Sequence, residues 1–401
     1  MIMPPILESE ARILLLFNAN QVYDRQILKG IGDFLQSHPV NWNIYISDKL
    51  RWDHQEHRLL NCDGIIANYD DHHIETIARN SSCPIIGVGA SFHNKEDYPS
   101  IPYVASDNHA LIQAAFEHLR SKGIKQFALY SYPPSRQARF AYEREVAFQQ
   151  ILQEKGYSGY LYQGFDITLN NWQESLEELS KWVQKLPKNT GIIAVNDARA
   201  RHVLQACKQL KKQVPDEYCI IGIDNEEVIN YLSSNFISTV TQGTEDIGYQ
   251  AASLLQKMLD NQSIPISQIL IPPKQIIERQ STDYRSIQDP YVIQAMHYIR
   301  HHACKNIKVE QVIQTVKISR SNLEMRFKQE LNKTMHNVIY EEKLRRAQYL
   351  LSHTTIALSK ISEQCGYPSL QYFYFLFQKE FNKTPKQYRA DHSYSWSDIS
   401  Y

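Results

Sequence analysis

Between residue 12 and about residue 270, short apolar runs alternate with longer stretches of helical period. The runs lie at 12–17, 43–46, 64–67, 84–88, 103–105, 126–130, 159–162, 191–195, 219–223 and 238–240, and they are rich in β-branched residues and leucine. Strands buried on both faces read as unbroken apolar runs, whereas half-exposed strands alternate. The stretches between them, such as 107–121, 143–154, 172–184, 197–210 and 245–259, carry the three-to-four spacing of helices packed on one side. Strand and helix in alternation predict parallel sheets covered on both faces. Ten strands exceed one small sheet, so the pattern predicts an α/β domain of two doubly wound lobes facing a cleft.

The period then changes. A turn-rich stretch runs from Ile271-Pro272-Pro273 to Asp289-Pro290, and beyond it the chain reads as helical to about residue 389. The expected organisation is a two-lobed domain over 1–271, a linker over 272–289, an all-α domain over 290–392 and a short tail over 393–401. Within the all-α domain the same plan occurs twice. Residues 309–331 read VEQVIQTVKISRSNLEMRFKQEL and residues 358–381 read LSKISEQCGYPSLQYFYFLFQKEF. Each is a short amphipathic helix, a break and a second helix, which predicts two helix-turn-helix units in tandem.

In the first unit Leu323, Phe327 and Leu331 fall at i, i+4 and i+8 and must face inward. Ser319 stands where an N-cap belongs. That leaves Arg320, Ser321, Asn322 and Glu324, with Arg326 further along, to meet base edges or phosphates. In the second unit Phe373, Phe377 and Phe381 form the inward stripe, Gly366 suits a left-handed turn, and Ser369 caps the helix. Ser369, Gln371, Tyr372 and Tyr374 are its candidates to touch DNA, and glutamine is a natural bidentate partner for adenine. A helical stretch from 337 to 352 separates the two units. A plain helical bundle with solvated charged faces is the competing reading of either unit alone.

Charge sharpens the division. The chain holds 43 Lys+Arg and 43 Asp+Glu, but residues 285–401 hold 17 against 10, which leaves 26 against 33 for the rest. A basic segment beside an acidic one fits a nucleic-acid module attached to a different function. The N-terminal residues have no basic leader pattern, and the apolar run at 13–17 is far too short to span a bilayer. No membrane association is expected. The six cysteines show no metal-ligating spacing and read as buried thiols of a reduced, cytoplasmic protein. His72-His73 and His301-His302 are adjacent pairs, whose side chains diverge by about 100° on a helix and seldom share a metal. Nor is there a GxSxG, a P-loop or an HExxH, and Gly87-Val88-Gly89-Ala90-Ser91 lacks the full dinucleotide fingerprint. No catalytic residue, metal or cofactor is expected.

The segment from about 289 to 389 resembles the DNA-binding domain of the arabinose-activator (AraC/XylS) family of bacterial regulators. The resemblance rests on Gly366-Tyr367, Phe377, Thr384-Pro385 and Tyr388-Arg389. Three departures stand out. Ile313 and Lys317 replace the small residue and turn glycine of the first unit, and Asn332 and Asn382 replace the glycine before each threonine. Asparagine tolerates a left-handed backbone; lysine is less comfortable there.

Such a head needs an input, and the α/β domain offers polar residues at strand ends. Tyr23, Asp24 and Arg25 follow the first strand, Arg139 and Arg144 flank a helix entry, Asp197 and the pair Asp224-Asn225 follow later strands, and Gln242 follows the last. In parallel α/β folds ligands sit beyond the carboxyl ends of strands. Carboxylates, amides and guanidinium groups match the hydroxyls of a sugar, although Asp197 and Asp107 also suit helix N-caps. The segments 103–132, 191–225 and 238–259 resemble the periplasmic-binding-like effector domain of lactose-repressor-type regulators. Over nearly the whole chain, with Asn18-Ala19-Asn20, Arg279, residues 281–285 and residues 295–300 among those that carry the likeness, the combination resembles a family of bacterial xylose regulators. That resemblance implies a homodimeric activator taking D-xylose or a similar sugar as effector, double-stranded promoter DNA as target and RNA polymerase as partner. The residue types by themselves leave open a repressor of the same architecture or a different small sugar.

Overall fold

The computed structural model describes residues 10–46, 62–71, 74–76, 81–226, 237–283, 289–354 and 356–392. The chain divides into two units, Met1–Arg285 and Ser286–Tyr401.

The first unit is built on two six-stranded sheets. One has the order β11-β5-β4-β3-β1-β2, formed by β1 (Ala11–Leu16), β2 (Trp42–Ile46), β3 (Gly64–Asn68), β4 (Ile85–Ala90), β5 (Tyr103–Ser106) and β11 (Gln268–Ile271). The other has the order β12-β10-β9-β8-β6-β7, formed by β6 (Gln126–Ser131), β7 (Gly159–Gln163), β8 (Thr190–Ala194), β9 (Tyr218–Ile223), β10 (Ser238–Thr241) and β12 (Gln275–Ile277). Pairing is parallel throughout except between β10 and β12. The longer helices among the described residues of this unit are α1 (Val22–Ser37), α2 (Asn108–Ser121), α3 (Arg139–Lys155), α4 (Trp172–Lys185), α5 (Asp197–Gln209) and α6 (Thr244–Leu259).

The unbroken apolar strands have the expected cause. In β1, Ile13 and Leu15 pack into one core while Leu14 and Leu16 pack into another. In β6, Phe127 and Leu129 face one layer, Ala128 and Tyr130 the other. Successive side chains of a strand point to opposite faces, so both faces are covered. On the first sheet α1 and α6 lie backbone to backbone. A Cβ on Gly30 would stand 1.9 Å from the Glu245 carbonyl oxygen, and one on Gly248 2.0 Å from that of Ile27. Only glycine allows that approach.

The expected boundary at residue 271 falls too early. β12 adds an antiparallel edge to the second sheet. Beyond it Ser281 and Thr282 are wholly buried. Ser281 Oγ donates to the Ile220 carbonyl at 2.5 Å, and Thr282 Oγ1 lies 2.8 Å from His118 Nε2. Residues 272–283 therefore belong to the second lobe. Pro272-Pro273 end β11, and the chain then crosses to β12, where Lys274 N donates to the Thr241 carbonyl. The thiols also differ from expectation: Cys207, Cys219 and Cys365 are buried, but Cys62, Cys83 and Cys304 are only half-buried.

The second unit is helical throughout its described residues: α7 (Pro290–His302), α8 (Val309–Val316), α9 (Arg320–Leu331), α10 (Met335–His353), α11 (Leu358–Gln364), α12 (Leu370–Phe381) and α13 (Pro385–His392). It has two cores. Leu323, Phe327 and Leu331 of α9 close the first with α7, α8 and the start of α10. Phe373 and Phe377 of α12 close the second with α11, α13 and the end of α10, where Leu344, Ala347, Leu350 and Leu351 point inward. Helix α10 thus serves both modules.

Candidate functional site

The carboxyl ends of the two sheets line a cavity of about 630 Å³, within the range of roughly 300–1,000 Å³ usual for small-molecule sites. The first lobe supplies Asp24 after β1, Asn68 at the end of β3 and Asp70 beyond it, and Ser106 at the end of β5. The second supplies Tyr132 after β6, Arg139 and Arg144 from α3, Asn196 after β8, Asp224 after β9 and Gln242 after β10.

Most of these groups are pre-paired. Asp24 Oδ2 accepts from the Asn18 amide at 2.5 Å and Oδ1 from Asn68 Nδ2 at 2.7 Å. Burial pushes its carboxyl up to about 6, against those two bonds. Burial likewise pushes Asp224 up to about 6, while Arg144 and the Gln242 amide, 2.5 Å away, favour its charged form. Arg144 is itself deeply buried, which lowers its pKa against the pull of Asp224, Tyr23 and Asp70. Its Nε donates to Asn108 Oδ1 at 2.9 Å and its Nη1 to the Val195 carbonyl. Arg139 reaches across the cleft to Asp70 at 2.5 Å and to the Tyr103 hydroxyl at 3.0 Å, with its guanidinium 4.0 Å from the centroid of the Phe92 ring. The Tyr23 hydroxyl lies 3.1 Å from the Gly89 carbonyl and 3.2 Å from Ser106 Oγ. Gln242 Oε1 is buried with no partner among the described residues. Carboxylates that only accept, set among guanidinium and amide donors, suit a neutral molecule dense in hydroxyls.

The reading helices are framed alike. Ser319 Oγ accepts from Asn322 N at 3.4 Å and Ser369 Oγ from Tyr372 N at 3.1 Å. Asn332 and Asn382 end α9 and α12, both with φ of 52°. Thr334 and Thr384 then cap α10 and α13. Lys317 adopts φ of 61° where the second module has Gly366 at 68°, so the first turn forms with a strained lysine in it. Arg320, Ser321, Glu324, Gln371 and Tyr372 are exposed. Arg320 pairs with Glu310 at 3.2 Å and Glu324 at 3.0 Å. Such exposed pairs are worth under about 1 kcal/mol, so they yield readily to a phosphate or base.

Profiles of known families cover nearly all of this. The XylR N-terminal domain matches residues 12–109, a periplasmic binding protein-like domain residues 116–282, and a helix-turn-helix domain residues 313–391. The xylose operon regulatory protein of Escherichia coli (strain K12) is 52% identical over 378 residues, 94% of this chain and 96% of that protein. The chain belongs to the xylose operon regulatory protein family. Its counterpart in Haemophilus influenzae is 50% identical over 384 residues, 96% of this chain and 99% of that protein. The solved structure of the xylose-binding transcription activator XylR matches with a TM-score of 0.84 at 51% identity, over 96% of this chain and 98% of that one.

Within that family frame the sequence-based site divides. Tyr23, Asp24, Arg139, Arg144, Asp224 and Gln242 line the cavity. Arg25, Asp197 and Asn225 do not. Arg25 is exposed and donates to the Ala19 carbonyl at 2.9 Å. Asp197 lies behind the wall: it accepts from Glu226 N at 2.8 Å and packs so tightly on Gly222 that a Cβ there would stand 2.1 Å from its Oδ1. The N-cap of α5 is its neighbour Asn196, while Asp107 does cap α2. Asn225 accepts from Arg279 Nη2 at 2.7 Å, holding the later segment against β10. Asp70 was missed because Asn68-Tyr69-Asp70-Asp71 reads as a solvated acidic turn. On the reading helices Arg326 donates to Asn322 Oδ1 at 2.6 Å and to Asp289, tying α9 to the cap of α7. Tyr374 is half-buried. His302 is stacked on Tyr298, and His72-His73 lie outside the described residues. No helix among the described residues is long and apolar enough to cross a membrane.

Proposed function

We propose that this chain is a D-xylose-responsive, DNA-binding transcription activator that turns on genes for xylose uptake and catabolism. The observation that carries this reading is one polar cleft, with buried carboxylates at strand ends, on a chain that also holds two capped reading helices. Its relatives carry xylose in their names, and the donor and acceptor set of the cleft suits a pentose. A sugar of the wrong stereochemistry would leave buried polar groups unpaired, which is how such a cleft discriminates.

The sugar would bridge Asp24 and Asp70 on one lobe to Arg144, Asp224 and Gln242 on the other, favouring closure. Only a ligand that prefers one state shifts that equilibrium. The output would be a homodimer in the cytoplasm. Each protomer would set α9 and α12 in successive major grooves about 34 Å apart. Helix α10, with 19 residues, is about 28 Å long at 1.5 Å per residue, a fitting spacer. RNA polymerase would be the partner that reads the bound activator, and no catalysis or cofactor is needed. Calorimetry with D-xylose, other pentoses and hexoses tests the effector. D-xylose should bind most tightly, and absence of heat with every pentose would end this reading. A promoter reporter with and without xylose separates activation from repression.

A further inference from the structure

We propose that Phe375 and Met325 read thymine methyl groups in the major groove, and that the second module thereby selects A·T pairs. This rests on the DNA-binding reading above. Phe375 is 61% exposed and Met325 51% exposed, on helices whose other apolar residues mostly face a core. They occupy equivalent positions. Each is the sixth residue after the capping serine, Ser369 or Ser319. Each stands midway between two buried residues, Phe373 and Phe377 in α12, Leu323 and Phe327 in α9. At 100° per residue that midpoint lies about 200° from both, the most outward position on the helix.

The neighbours point to DNA as occupant. Gln371 precedes Phe375 by four residues and Ser321 precedes Met325 by four, so each apolar side chain shares a stripe with a polar candidate. Tyr372 lies against Phe375, with ring centroids 6.5 Å apart. An apolar position repeated at one register in two modules is hard to explain by a single protein partner, but follows from two helices entering grooves alike. In the major groove the thymine C5 methyl is the apolar group on offer, next to the adenine edge that glutamine reads. With Gln371, Tyr372 and Phe375, α12 is suited to A·T pairs. With Arg320, Ser321 and Met325, α9 adds a cation suited to guanine.

The test replaces thymine by uracil, which removes the methyl and keeps every hydrogen-bonding group. An operator selected from random DNA by the full chain is scanned one dT→dU at a time, by anisotropy at fixed salt. The wild type should weaken at one or two positions per module, by about fourfold for one methyl withdrawn from burial. Phe375→Ala should bind the thymine operator as weakly as the wild type binds the uracil one, and lose nothing more on dU replacement at those positions. Phe375→Leu should keep methyl sensitivity, and Met325→Ala should silence a different set of positions. Equal methyl sensitivity in wild type and Phe375→Ala overturns the proposal. So does a Phe375→Ala chain that binds DNA normally but fails to activate a reporter, since the face then meets a protein. If the wild type selects no sequence at all, the DNA-reading assignment falls and takes this inference with it.

Discussion

The cleft and the reading helices solve recognition in opposite ways. In the cleft the polar groups are buried and fixed in advance: Asp24 holds two donors, Arg144 two acceptors, and Asp224 a glutamine amide. On α9 and α12, Arg320, Ser321, Glu324, Gln371 and Tyr372 stand in solvent, tied at most by exposed ion pairs. The buried site is costly to disturb, because truncation strands a charge in low dielectric. The exposed face can change residue by residue without touching the fold. Mutations in the two places should therefore differ in kind: removing the buried cation of the cleft lowers stability and ligand affinity together, and changes on the exposed helix faces lower DNA affinity alone.

Arg144→Ala should show this most strongly. It removes the bonds to Asn108 and Val195 and leaves Asp224 without its facing cation, a loss of about 3–5 kcal/mol in urea unfolding. A loss below about 1 kcal/mol would mean that the cleft is not pre-organised in this way. Asp224→Ala should next weaken D-xylose binding by calorimetry roughly 10- to 100-fold, the equivalent of a hydrogen bond or two to a charged group. Affinity equal to the wild type would move the sugar elsewhere.

The reading helices give smaller and more separable effects. A Cβ at Gly366 would stand 2.6 Å from the Cys304 carbonyl oxygen, with φ at 68°. Gly366→Ala should thus destabilise by about 1–3 kcal/mol, showing that the frame beneath the exposed face is as exacting as the cleft. Gln371→Ala should cost about 1–3 kcal/mol in sequence-specific DNA binding and leave thermal unfolding unchanged. Unchanged DNA affinity would take α12 away from the base edges.

The mildest effect is that of pH. Asp24 and Asp224 both stand near 6, raised by burial above their ordinary range. Without ligand their ionisation opposes folding, so they lower stability as pH rises from about 4 to about 6 and leave it level beyond. Sugar hydroxyls donating to them favour the ionised forms. D-xylose affinity should therefore fall several-fold between pH 7.5 and pH 5, and binding below pH 6 should release protons. Affinity that is flat over this window would show that the sugar does not address these carboxylates.

The sequence carried the frame better than the site. Strands β1, β3 to β6 and β8 to β10 were visible because buried parallel strands are apolar with little interruption, while β2 and β7, partly exposed at sheet edges, showed through their aromatic and aliphatic residues. β11 and β12 were not, since Gln268–Ile271 and Gln275–Ile277 are short, partly exposed strands at sheet edges. The doubled module was legible because its caps recur as serine, asparagine and threonine at matching positions. In the cleft, residues just beyond a strand could be found, but strand ends look alike whether a side chain turns inward or outward. Asp197 and Asp224 have the same local setting, and only packing on Gly222 puts the first behind the wall. Asp70 and Phe375 were hidden for a shared reason, because an acid in a turn and an aromatic on a helix ordinarily signify solvent and core.

Operator affinity, measured by anisotropy at one salt concentration with and without saturating D-xylose, tests the link between the two regions most directly. In the wild-type chain xylose should change the affinity for the selected operator, and in Asp224→Ala the same concentration should change nothing. An operator affinity indifferent to xylose in the wild type, or a xylose effect preserved in Asp224→Ala, would contradict the claim that this cleft governs these helices.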